Sequence, residues 1–187
     1  INGMVALRGT PDDYDEWASL GAVGWGWKAV LPHFRRLETD VDSEVGDPLH
    51  GKDGPLPIRR VSRDEWPPFV KGVDTWSRNR QVAPIHDLNG EFREGVGALP
   101  LSRFPDKRAS TAICYLSAGV RARENLTVVT DAYVEGLVTE GPRVTGVTAR
   151  IDETVQEFHA QEVIVCAGAL QSPAILLRAG IGPAAAL

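Results

Sequence analysis

Few residues of this chain have a type and spacing that could do chemistry. Ala167 and Gly168 follow the apolar run Val163 to Cys166, and a turn with almost no side chain lets a ligand or another stretch of backbone come close. Ser172 follows, a hydroxyl just beyond a strand and turn, which is where a hydrolase could carry its nucleophile. Gly-x-Ser-x-Gly is absent around it and Pro173 comes next, so Ser172 reads as a helix cap with proline in the first helical position. Gly46-Asp-Pro-Leu-His-Gly51-Lys52 imitates a phosphate-binding loop, but Asp53 stands where Ser or Thr would hold magnesium. No convincing strand precedes that loop and no helix follows it, so it is set aside. The histidines His33, His50, His86 and His159 are scattered without metal-ligand spacing and are expected on the surface or in loops. No residue is therefore assigned a catalytic or metal-binding role.

The elements that must position these groups are punctuated clearly. Val163 to Cys166 predicts a strand buried on both faces, Ser172 caps the helix after it, and Gly180 closes that helix. A strand, turn and helix of this kind is common packing in α/β proteins, so its surroundings decide its meaning. Thr10, Pro11, Asp12 and Asp13 predict a helix start and Gly21 its stop, the acids serving the helix dipole rather than chemistry. Trp27, Val30, Leu31, Phe34 and Leu37 form an apolar helical stripe, with a kink or second start expected at Pro32. Thr39 to Gly54 reads as an acidic loop, Pro55 to Val61 as a short edge strand, and Pro67 to Arg80 as a helix with Phe69, Val73 and Trp76 on one side. Turns and short strands follow to Pro100, then a helix over 108–116 with Ser110 as cap and Ile113 and Leu116 turned inward. From Asn125 the pattern alternates: Leu126–Val129, Ala132–Val138, Val144–Ile151 and Thr154–Phe158 read as an antiparallel meander.

Composition bounds the function classes. With 187 residues and 43% hydrophobic content, the chain can bury a substantial core. A net charge of −5 and a pI near 5.4 argue against a nucleic-acid partner. No apolar run approaches the roughly 18 to 20 residues of a membrane span. Cys114 and Cys166 alone do not make a disulfide scaffold; both are expected as free thiols, Cys166 buried, in a reducing cytoplasm. The sequence opens at Ile1 and reads as an internal piece of a longer chain.

Three ordered stretches resemble the glucose-methanol-choline (GMC) oxidoreductase family. Gly168-Ala-Leu-Gln-Ser172-Pro173-Ala-Ile-Leu-Leu-Arg-Ala-Gly180-Ile-Gly182 is similar to the family's second signature, with Ala179 where serine is common. Ile1-Asn2-Gly3-Met4-Val5-Ala6-Leu7-Arg8-Gly9 through Asp15 resembles the second half of its first signature. Between them, His50-Gly51 with Gly54-Pro55-Leu56, then Arg108, Ser110, Tyr115 and Leu116, then Asn125 to Thr130, resemble its connecting blocks.

The resemblance implies a mixed α/β and α+β chain: part of an FAD-binding doubly wound domain with an antiparallel meander, plus a substrate-side α+β region. Its expected divisions are 1–40 (FAD-contacting segment and cover helices), 41–108 (substrate side) and 109–187 (more of the FAD-binding domain). It implies FAD contact at Asn2, Gly3, Met4 and Val5 against the flavin, at the Val134 backbone against adenine, and at Ala167 and Gly168 near the adenosine half. The family's G-x-G-x-x-G loop and its catalytic histidine block do not occur in this sequence. The expected function is thus a fragment of an FAD-dependent enzyme oxidising an alcohol, choline-like, sugar or other, by hydride transfer to flavin. The fragment alone is expected to be inactive. The alternative is a non-catalytic binding or structural module of flavoprotein ancestry.

Overall fold

The computed structural model of the protein describes residues 3–186, and they divide into two units, one running to Arg123 and one starting at Glu124.

In the first unit, α1 (Pro11–Ser19) opens with a capping box: the Thr10 hydroxyl accepts the Asp13 amide, and the Asp13 carboxylate accepts the Thr10 amide. Those bonds from Thr10 hold the Asp13 carboxyl below its ordinary range. After Leu20, Gly21 turns with φ 103°, which glycine tolerates. α2 (Trp27–Leu37) runs through Pro32 without a second start. Tyr14 on α1 meets Trp27 and Phe34 on α2, ring centroids 5.9 and 5.7 Å away, and the two helices pack through these rings.

α2 passes directly into β1 (Glu38–Asp40), which pairs in parallel with β2 (Leu56–Arg59). β2 was expected at an edge. It is the middle strand of three, flanked on its other side by antiparallel β5 (Leu101–Ser102), and Ile58 on it is buried. Its edge-like features, Pro55 and Pro57, fit because the strand is only four residues long and its partners arrive from residues far along the chain. α3 (Pro68–Asn79) forms as expected, but it buries Asp74 and Ser77 while Phe69 and Trp76 remain 81% and 57% exposed. β3 (Pro84–Ile85) and β4 (Val96–Gly97) make a minimal parallel pair, and α4 (Thr111–Cys114) and α5 (Ala118–Arg121) are single turns. Ser110 takes the cap position of α4 without a side-chain bond, and Ile113 is exposed rather than turned inward. A one-turn helix has no second turn to build an inner face.

The second unit is a three-stranded meander, β6 (Tyr133–Glu140), β7 (Arg143–Ile151) and β8 (Thr154–His159), with α6 (Gly168–Arg178) packed on β6. Gly141 (φ 59°) makes the first turn; Asp152 and Glu153 make the second with φ 46° and 64°, the left-handed pair a two-residue hairpin demands. Leu126–Val129, expected as a strand, forms none.

The apolar run Val163 to Cys166 is likewise not a strand, nor is it buried: Ile164 is 77% exposed and Cys166 is exposed. A buried strand exists only between neighbours that satisfy its backbone, and among the described residues none pairs with this run. The helix after it begins at Gly168, earlier than expected, so Ser172 and Pro173 lie inside α6. Ser172 still caps, from within: its hydroxyl accepts the Ala167 amide at 3.0 Å. That bond gives the serine a structural task and removes the motive for a nucleophile. Gly180, φ 74°, closes the helix as expected.

Candidate cofactor-contacting site

Strand alternation builds the base of the site. Residues two apart in β1 share a face, so Glu38 and Asp40 both point inward, 4% and 0% exposed. A lone pair of buried carboxylates would be untenable, and cations from distant segments meet them. His50 donates from Nδ1 to Glu38 at 2.9 Å and from Nε2 to Asp87 at 2.7 Å, with Asp40 3.2 Å from Nδ1. Arg60 grips both Asp40 oxygens at 2.9 and 3.0 Å and also pairs with Asp87. Arg8 lies against Glu38, donates to the Leu49 carbonyl at 2.8 Å and stands over the Phe34 ring. Three carboxylates (Glu38, Asp40, Asp87) thus face three cations (Arg8, His50, Arg60).

Electrostatics follow from this packing. Burial works against a charged His50, but hydrogen bonds to Asp87 and Glu38 outweigh it and push the imidazole up to about 9. Burial also opposes ionisation of Asp87 and Glu38. His50, the Asn89 amide and Arg60 hold Asp87 well below the carboxylate range, and His50 and Arg8 lower Glu38. Glu38, Asp40 and His50 lie close enough to share a cation, but with His50 protonated and both arginines in place the charge is already balanced. His50 was expected on the surface or in a loop. It sits on a loop but is 3% exposed, because its partners come from residues 38, 40 and 87, too far apart in sequence for any spacing rule to register. The one signal for it was the resemblance block beginning His50-Gly51.

Glycines around His50 are explained by the same packing. A Cβ on Gly51 would lie 1.8 Å from the Arg35 carbonyl, and one on Gly54 2.3 Å from the Glu38 amide. The phosphate-loop imitation is therefore a tight backbone crossing over β1, and Lys52 donates to the Asp40 and Ser43 carbonyls.

This base supports the amino-terminal segment. Asn89, 1% exposed, accepts the Arg8 amide at 2.9 Å and donates to the Ala6 carbonyl at 3.1 Å. Ala6 donates to Pro100 at 2.9 Å, and Ser102 donates to the Met4 carbonyl. Gly3 and Val5 remain exposed, and Met4 is half-buried. Asn2 lies outside the described residues. In the second unit, the β6–β7 register skips Glu135 between Val134 and Gly136, a bulge that re-aims the backbone there. Arg178 of α6 donates to the Glu135 carbonyl at 2.9 Å and approaches that of Val134 at 3.4 Å. Ala167 and Gly168 are exposed, and Gly168 has φ 84° with open space where a Cβ would stand. Glycine is thus required there by backbone conformation. The structure gathers Gly3, Met4 and Val5 on one segment, and Val134, Ala167 and Gly168 within the other unit.

Exposed, small-residue backbone held from behind by buried side chains suits a large cofactor better than a reactive side-chain cluster. The fold is shared with pyridoxine 4-oxidase from Mesorbium loti: TM-score 0.87 and 34% identity, covering 97% of this chain and 35% of that one. The sequence pattern described as GMC oxidoreductase matches residues 1–187, and the chain belongs to that family. A 5-(hydroxymethyl)furfural oxidase of Methylovorus sp. (strain MP688) is 45% identical over 188 residues, spanning 100% of this chain and 35% of that protein. An oxygen-dependent choline dehydrogenase of Staphylococcus xylosus is 37% identical over 183 residues, spanning 97% and 32%. The chain thus spans about a third of the length of the relatives it matches. Membership makes FAD the cofactor of the complete protein. The residues present fit it: Gly168 offers open space at a left-handed turn, and among the described residues a Cβ on Gly3 would meet only Val5 Cγ2, at 3.7 Å.

Proposed function

We propose that this chain is part of an enzyme that oxidises the CH–OH group of a small alcohol, choline-like, sugar or other. The observation that carries the reading is family similarity along the whole chain, with 45% identity to an oxidase of 5-(hydroxymethyl)furfural. FAD, when bound, supplies the hydride acceptor. The chain's own residues bind and orient it. Asn2, Gly3, Met4 and Val5 would hold the flavin ring, the Val134 backbone would hold adenine, and Ala167 and Gly168 would leave room for the adenosine half. His50 takes no part in proton transfer, since both ring nitrogens are committed to carboxylates.

By itself the chain is inactive. Large apolar side chains such as Phe69, Val23, Ile164 and Leu170 stand exposed, which supports the reading that further chain covers them. We place the enzyme in the cytoplasm, in keeping with free Cys114 and Cys166; among the described residues no helix is long and apolar enough to cross a membrane. Turnover of the complete protein on a panel of alcohols, with oxygen and with artificial acceptors, tests the proposal. Oxidation of at least one alcohol is expected. A complete protein that carries flavin but oxidises none of them removes the alcohol-oxidising reading, and a purified 187-residue chain that oxidises one of them removes the claim of inactivity.

A further inference from the structure

We infer that Ser102 is a positioning residue for the flavin-facing segment, fixing the Met4–Val5 peptide in a conformation that Met4 does not favour. This rests on the functional reading above. Met4 has φ 64°, the left-handed region that an L side chain occupies only at a cost. Such a residue persists where its surroundings over-determine it, and strained backbone of this kind clusters at functional sites.

The surroundings of Met4 do so with unusual redundancy. Its carbonyl accepts two hydrogen bonds from one residue, the Ser102 amide at 2.7 Å and the Ser102 hydroxyl at 3.1 Å. One residue on, Val5 forms an antiparallel bridge with Leu101, and Ala6 is held on both sides, donating to Pro100 and accepting from Asn89. Because a trans peptide is planar and its C=O and N–H point in opposite directions, tying the Met4 carbonyl to Ser102 aims the Val5 amide away from β5. Gly3 and Val5 on either side are exposed. The strained turn therefore presents a backbone donor on the open side of the segment, and the serine hydroxyl locks that orientation. A serine needed only for packing of β5 has no reason to be coupled to the conformation of residue 4.

The coupling is what the experiment reads. In the complete flavin-loaded protein, Ser102→Ala keeps the amide bond and deletes the hydroxyl bond, while Met4→Gly removes the conformational cost at φ 64°. Flavin release, followed by the rise of free-flavin fluorescence, is expected to speed up roughly threefold to tenfold in Ser102→Ala, the equivalent of one hydrogen bond, and the flavin's visible circular dichroism to change. In a Met4→Gly background the same Ser102→Ala substitution is expected to alter release by less than about twofold, since there is less strain to hold. Ser102→Thr, which keeps the hydroxyl, is expected to release flavin as the unsubstituted protein does. Equal acceleration in both backgrounds, no acceleration in either, or loss of flavin in Ser102→Thr and Ser102→Ala alike overturns the inference. A complete unsubstituted protein without any flavin overturns the functional reading itself, and this inference with it.

Discussion

The His50 cluster and the β6–β7–β8 meander solve the same problem of holding strands together in opposite ways. In the meander each strand pairs with the one just before it through a two-residue turn, and its face alternates with period two. Around His50, ion pairs join residues 8, 38, 40, 50, 60 and 87, and the strands they brace are two to four residues long. Local pairing makes a sheet that tolerates change residue by residue. A buried charge network fails when one member is removed, because the others remain charged without partners.

The largest effect should therefore fall on the first unit. Glu38→Ala leaves Arg8 and His50 facing each other across a buried gap and is expected to cost about 3–5 kcal/mol, read as a fall in the urea midpoint of the complete protein at unchanged slope; a loss under about 1 kcal/mol would show that the network is solvated and slack.

Next comes pH. His50 has a folded-state pKa of about 9 against an ordinary 6.5, so its contribution is fully present below about 6.5 and is lost as pH rises through 9. The difference corresponds to a fall on the order of 3 kcal/mol across that window. Asp87, lowered, contributes above the ordinary carboxyl range and loses its contribution as pH falls below it. Stability is expected to be greatest between those limits, and His50→Gln should flatten the alkaline limb; a limb equally steep in that variant would assign it to another group.

Asn89→Ala removes both side-chain bonds to residues 6 and 8, and is expected to cost about 1–3 kcal/mol while raising the hydrogen-exchange rate of the Arg8 amide in particular. In the meander, substitutions should act on a smaller scale and can even help. Glu153, at φ 64°, is held in a left-handed conformation costing about 1 kcal/mol, so Glu153→Gly should raise amide protection in β7 and β8 by about that amount, with no change at His50 or Asn89. No gain in protection in β7 and β8 would contradict the assignment of strain to Glu153.

Legibility in the sequence followed the same divide. The helix start at Thr10, the helix over Trp27–Leu37, three of the four meander strands and the Gly180 stop are local patterns, and local patterns were enough; the reciprocal Asp13 bond of the capping box and the absence of a strand at Leu126–Val129 were not read. Ser172 was recognised as a cap but placed outside the helix, since its bond runs back five residues to Ala167. The run Val163 to Cys166 has the composition of a buried strand and no pairing partner among the described residues, and apolar composition cannot supply a neighbour. His50, Asp87 and Asn89 were missed as a group because their chemistry exists only after residues up to 83 positions apart have met. Met4 was picked out through the family signature; its strain, and the two hydrogen bonds its carbonyl accepts from Ser102, could not be read from residue types.

The most direct test is anaerobic mixing of the complete protein with a panel of primary and secondary alcohols while its visible spectrum is followed. The expected result is a yellow protein whose flavin absorbance bleaches with at least one alcohol and returns on admission of an oxidant. A colourless protein, or a flavin that no alcohol reduces, contradicts the assignment of this chain to an alcohol-oxidising flavoenzyme.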